Sequence, residues 1–130
     1  MRVFGRYCLG MNKVLLATDS NETAEETFAA LSGSETTVSR VTRGEDVREV
    51  VAEIEPDLVI LDLQIGNMGG VAASIDLRHE ITAGRIKPLK IILLLDREAD
   101  TWIATEAKAD CELVKPLNAL RLRKLAKSLF

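Results

Sequence analysis

Pro56-Asp57-Leu58-Val59-Ile60-Leu61-Asp62 is the stretch that decides the fold of this 130-residue chain. Leu58 to Leu61 are apolar on both faces, as in a strand buried between two helical layers. Just upstream, Val47, Val50, Val51 and Ile54 recur at i, i+3, i+4 and i+7, with Glu45, Asp46, Arg48, Glu49 and Glu53 on the opposite face. That spacing predicts an amphipathic helix. Glu55-Pro56 stops it, because the residue before a proline is pushed out of helical geometry. Downstream of Asp62 a loop with Gly66, Gly69 and Gly70 leads into a helix over about residues 71–82.

The same alternation extends in both directions. Residues 14–17 form a compact apolar run, and Thr18-Asp19-Ser20-Asn21 caps a helix whose apolar positions are Ala24, Phe28 and Leu31. Ser32-Gly33-Ser34 ends that helix, and the half-polar residues 36–41 suit an edge strand. Residues 91–95 are a second fully apolar strand. Residues 98–108 predict a helix with Ala99, Trp102, Ile103 and Ala107 along one side. A short strand at 111–114 precedes a last helix over 118–129, with Leu122, Leu125 and Leu129 inward. Five strands alternating with five helices imply parallel pairing through right-handed crossovers, a doubly wound three-layer α/β domain.

The chain has room for one domain around one core, and its 47% hydrophobic residues supply a buried sheet. A net charge of -3 gives no reason to expect wrapping of nucleic acid or binding to an anionic membrane. Cys8 and Cys111 are too few for a disulfide framework or metal site and are expected to stay reduced in a cytoplasm. The longest apolar runs fall far short of a membrane span. Met11, directly before a strand-like run, is a candidate natural start, making residues 1–11 an N-terminal extension and 12–130 the folded domain. No phosphate-binding glycine loop, dinucleotide fingerprint or nucleophile elbow is present.

In an open parallel sheet, functional groups gather at the carboxyl ends of the strands. Those ends carry Thr18 and Asp19, then Asp62, then Leu95 and Asp96, then Lys115. Carboxylates and one ammonium in a shared crevice are what phosphoryl transfer onto a carboxylate requires. One Asp attacks, a second helps hold a divalent cation, and a Lys pairs with the product.

The segment from Pro56 through Asp62 to Leu63-Gln64-Ile65-Gly66-Asn67-Met68-Gly69-Gly70 resembles the phosphoacceptor segment of response-regulator receiver domains. Leu113-Val114-Lys115-Pro116 is similar to that family's strand-five ending, in which the Lys-Pro bond is typically cis. The likeness runs from about Lys13 to Leu129, and residues 94–122 look most like actinobacterial receivers.

The resemblance implies a flavodoxin-like strand order, 2-1-3-4-5, and a signalling module rather than an enzyme. It implies Asp62 as phosphoacceptor and Lys115 as the cation pairing with the phosphoryl group. Mg²⁺ would be held by Asp19, Asp62 and the backbone carbonyl of Gln64. The phosphodonor would be a histidine kinase or phosphotransfer protein. Output would pass to a protein partner or a second copy through the face built from helix 4, strand 5 and helix 5.

Four departures from the family pattern bear on function. Thr18 stands where the family has its first acidic residue, which removes one charge from the cation site. Gly66 replaces the usual proline after the acceptor and is expected to loosen that loop. Leu95 aligns with the Ser/Thr that contacts the phosphoryl group, and a one-residue shift puts Asp96 there instead. Glu112 aligns with the switch aromatic of strand five. Both halves of the hydroxyl-aromatic relay are therefore missing, which leaves a phosphorylation-independent pseudo-receiver as the alternative. A flavin- or nucleotide-binding module is a third reading, tested by the absorbance spectrum of the purified protein.

Elsewhere, Arg121, Arg123, Lys124 and Lys127 make the last helix basic, as a solvated face complementing the helix dipole or as a docking face for an acidic partner. Trp102 is expected in core or half-buried packing. His79, beside Arg78 and Glu80, reads as part of a solvated face, and residues 83–90 read as an ordinary basic loop.

Overall fold

The computed structural model describes residues 12–130. The proposed extension over residues 1–11 and Cys8 lie outside the described residues. The central sheet consists of β1 (Asn12–Ala17), β2 (Thr36–Val41), β3 (Leu58–Asp62), β4 (Lys90–Leu95) and β5 (Cys111–Val114). All four neighbouring pairs are parallel, and the order is β2-β1-β3-β4-β5. The helices are α1 (Asn21–Leu31), α2 (Val47–Ile54), α3 (Gly70–Thr82), α4 (Trp102–Glu106) and α5 (Ala119–Leu129).

Alternation along the central strands divides the core into two halves. Leu15, Val59, Leu61, Ile91, Leu93 and Leu95 face one side, where they meet Val47 and Val51 of α2, Ala73 and Leu77 of α3, and Ala104 of α4. Val14, Leu16, Leu58, Ile60, Ile92 and Leu94 face the other, against Ala24, Ala30 and Leu31 of α1 and Leu122 and Ala126 of α5. Each central strand is thus covered twice, the physical reason for its lack of polar residues. α1 is capped by the Ser20 side chain, which accepts from the Thr23 N–H, and α5 by Asn118, which accepts from Arg121.

Three local expectations are corrected. The segment over 98–108 is a 3₁₀ turn (Glu98–Asp100) followed by the short α4, and its buried residues are Ala104 and Ala107, with Ala99 and Trp102 on the outside. Trp102 is 63% exposed rather than packed inward. Residues two apart on an α-helix point to nearly opposite sides, so Trp102 and Ala104 cannot both face the sheet, and the smaller residue takes the inward position. The loop after Asp62 is a miniature antiparallel hairpin, Gln64–Ile65 against Met68–Gly69. Gly66, at φ 62°, begins its two-residue turn, a place that favours glycine. The substitution that was expected to loosen this loop therefore builds a defined turn.

The basic loop over residues 83–90 is also tied down. Arg85 donates to the Glu80 carboxylate of α3 at 2.7 Å, and Arg48 of α2 approaches the same oxygen at 3.4 Å. The Arg85 hydrogen bond, against the opposing effect of burial, holds the Glu80 carboxyl below the usual carboxylate range. His79 is exposed, as expected.

Candidate functional site

The parallel register brings the carboxyl ends of β1, β3, β4 and β5 to one edge. Asp62 is the last residue of β3 and is only 2% exposed, because β1 and β4 flank it and α3 begins close by. Gly70, the first residue of α3, packs so tightly on the Asp62 carbonyl that a Cβ there would collide with it. Lys115 follows β5. Its backbone N–H donates to the Leu95 carbonyl at 2.8 Å, and its bond to Pro116 is cis.

Both carboxylate oxygens of Asp62 are engaged. Lys115 Nζ lies 2.7 Å from Oδ1, and the Thr18 hydroxyl donates to Oδ2 at 2.7 Å. The Thr18 Oγ1 in turn accepts from the Ser20 N–H at 3.0 Å, which leaves its own hydrogen directed at Asp62. Lys115 Nζ also reaches Asp96 Oδ1 at 3.4 Å. Burial pulls the Lys115 ammonium down, but the Asp62 hydrogen bond and the charges of Asp62 and Asp96 together outweigh it and leave the pKa above the ordinary lysine value.

Asp19 joins the cluster indirectly. Its Oδ2 accepts from the Gly66 N–H at 2.9 Å, linking the β1–α1 loop to the hairpin after the acceptor. Gln64 is exposed, and its side chain donates to the Gly66 carbonyl at 2.7 Å. Arg40 of β2 clamps the β1–α1 loop from behind, donating through Nε and Nη2 to the Thr18 carbonyl and through Nη1 to Asn21.

Leu95 is fully buried in the core, whereas Asp96 is the β4-end side chain that reaches Lys115. The one-residue shift is therefore the register the structure adopts. Glu112 is exposed on the edge strand β5, so an acidic residue costs nothing there. Thr18 was expected at this edge, but neither its hydrogen bond to Asp62 nor the Arg40 clamp was legible in the chain. The hydroxyl was legible only as a missing carboxylate, and Arg40 only as one polar residue of an edge strand.

The donor set can be tested against a divalent cation. Among the described residues no group of three His, Cys, Asp or Glu side chains is placed to hold a metal. Asp19 follows β1 and Asp62 ends the adjacent, paired strand β3, and Asp19 accepts from the Gly66 N–H of the hairpin that follows Asp62. Mg²⁺ is commonly held by one or two carboxylates, with water and substrate phosphate completing its shell. Two carboxylates and a backbone carbonyl fit that pattern and do not amount to an all-protein cage.

Comparison with known proteins agrees with this architecture. The chemotaxis response regulator CheY4 of Vibrio cholerae superimposes with a TM-score of 0.80 at 21% identity, covering 92% of this chain and 99% of that one. A CheY-like receiver domain from Methylobacillus flagellatus gives 0.78 at 22% identity, with 92% and 99% covered. The signal receiver domain of a histidine kinase from Syntrophus aciditrophicus gives 0.78 at 24% identity, with 91% and 89% covered. Identities this low speak for the fold alone. Membership is carried by the family described as response regulator receiver domain, whose pattern matches residues 14–127, and the chain belongs to that family.

Proposed function

We propose that this chain is an atypical receiver that accepts a phosphoryl group on Asp62 and signals by binding another protein. The observation that carries the reading is the Lys115 ammonium 2.7 Å from Asp62 Oδ1, at a strand edge that also presents Asp19. The donor is a phosphohistidine on a histidine kinase or phosphotransfer protein. An Asp62 oxygen attacks phosphorus, the P–N bond breaks, and the departing imidazole nitrogen takes a proton, leaving an acyl phosphate. Asp19, Asp62 and the Gln64 carbonyl would hold Mg²⁺, which when bound supplies positive charge against the phosphoryl oxygens. Lys115 pairs with the product, and Thr18 orients the carboxylate.

No helix among the described residues is long and apolar enough to cross a membrane, and we place the module in the cytoplasm. The output face is the α4–β5–α5 surface. Support comes from exposed Trp102 and Leu120, at 63% and 56%, beside the exposed Arg121 and Lys124. The partner there is an acidic protein surface or a second copy of the chain.

Beryllofluoride with Mg²⁺ tests the acceptor reading directly. Amide NMR shifts around Asp62 are expected in the wild type and not in Asp62→Ala, and a small phosphodonor should add one phosphoryl mass to the wild type alone. Absence of both effects in the wild type refutes phosphoacceptance. That result would favour the second reading, a phosphorylation-independent pseudo-receiver, whose support is Asp96 beside Lys115 and exposed Glu112 in place of the hydroxyl-aromatic relay. Under it, a partner binds wild type and Asp62→Ala equally.

A further inference from the structure

Lys115 serves two carboxylates at once. Its backbone is anchored to the end of β4 through the Leu95 carbonyl, and its ammonium sits 2.7 Å from Asp62 and 3.4 Å from Asp96. Asp62 is buried, while the Asp96 side chain is 61% exposed, and Lys115 is its ionic partner among the described residues. Asp96 opens the loop that continues through the Glu98–Asp100 turn, where Arg97 pairs with Asp100 at 2.9 Å, and into α4 at Trp102. The ammonium is therefore a tether that draws this loop toward the crevice while Asp62 is unmodified.

We propose that Asp96 is a positioning residue that makes the β4–α4 loop move outward, not inward, when Asp62 carries a phosphoryl group. The proposal rests on the reading of Asp62 as acceptor. A phosphoryl group adds negative charge at Asp62, and Lys115 is the ammonium in contact with that carboxylate. Its attraction is drawn to the new oxygens, and the Asp96 carboxylate is left facing a more negative neighbour with its tether weakened. A side chain with a hydroxyl at this position would be attracted by the same event. With a carboxylate the force reverses sign, so the unmodified protein holds the loop in and the modified one releases it, with Trp102 at its end.

The test uses the full chain, Mg²⁺ and beryllofluoride, comparing wild type with Asp96→Asn and Asp96→Thr. These substitutions fall on an exposed side chain and leave Asp62, Asp19 and Lys115 in place. Removing one like charge beside the adduct should tighten beryllofluoride binding by about 5- to 10-fold at low salt, the Coulomb energy of two charges about 4 Å apart that are screened by water, as befits an exposed carboxylate. The gain should shrink as salt is raised, since Asp96 is open to solvent. The single tryptophan of the chain reports the loop. Its emission should change on adduct formation in the wild type and by less than half as much in Asp96→Asn. Equal or weaker beryllofluoride binding by both variants, or an unaltered tryptophan response, overturns the proposal while leaving the acceptor reading intact. No adduct in any of the three proteins overturns both.

Discussion

Thr18→Val isolates the contact that the sequence made look like a loss. Valine keeps the branched shape of the side chain in a site of zero exposure, so packing is nearly preserved. It removes the hydroxyl that donates to Asp62 Oδ2 at 2.7 Å and accepts from the Ser20 N–H at 3.0 Å. A hydrogen bond to a buried charged group is worth about 1.5–3 kcal/mol, and the Ser20 N–H, on a half-exposed residue where water can replace the partner, adds roughly 0.5–1. The expected cost is therefore about 2–4 kcal/mol. For a chain of this size each kcal/mol lowers Tm by roughly 3–5 °C, so a loss near ~3 kcal/mol corresponds to about 9–15 °C. Thr18→Ser keeps the hydroxyl and loses one methyl, costing about 1 kcal/mol. Urea unfolding in magnesium-free buffer, with unchanged m-values, measures both variants. Thr18→Val within about 0.5 kcal/mol of wild type, or Thr18→Ser less stable than Thr18→Val, would refute the idea that this hydroxyl holds the acceptor carboxylate.

Thr18→Asp should restore a second acidic side chain after β1 and set it against Asp62. Magnesium titration followed by thermal melting should show lower stability than wild type without the ion and a larger gain with it. Lys115→Met leaves the buried Asp62 carboxylate without its cation. It should cost about 2–4 kcal/mol in urea, somewhat below a fully buried pair because the lysine side chain is 24% exposed. The same pair sets an alkaline limit. The raised Lys115 pKa means that its contribution is whole below the ordinary lysine value of 10.5 and is lost as pH rises through the folded value. The stability gap between wild type and Lys115→Met should close above that pH, and a gap constant across the range would contradict the assignment. Gly70→Ala drives a Cβ into the Asp62 carbonyl and to 3.1 Å from Leu93, and should cost about 2–3 kcal/mol in the same urea assay while shifting Asp62 amide signals.

By itself the sequence determined the layer structure. The doubly apolar runs of β3 and β4 could be satisfied only by burial on both faces. The i, i+3, i+4, i+7 pattern of α2 left one placement for its valines, and the strand ends delivered Asp62 and Lys115 to a common edge. Those signals are periodic and local, so they survive in one dimension. Strand order was not among them and came from likeness to the receiver family, because hydrogen-bond partners between distant strands leave no periodic trace.

Tertiary structure alone decided what each strand-end residue touches. Which of Leu95 and Asp96 faces Lys115 depends on where the pleat of β4 ends, a matter of one residue that composition cannot fix. Thr18 became a partner of Asp62 because β1 and β3 pair in register. Trp102 was turned outward because α4 gives its inward side to Ala104 and Ala107, and position 102 lies nearly opposite position 104. Hydrogen bonds reach only a few ångströms and demand direction. The identity of a site residue can therefore be read from the chain, but its contacts wait on the packing that sets those distances.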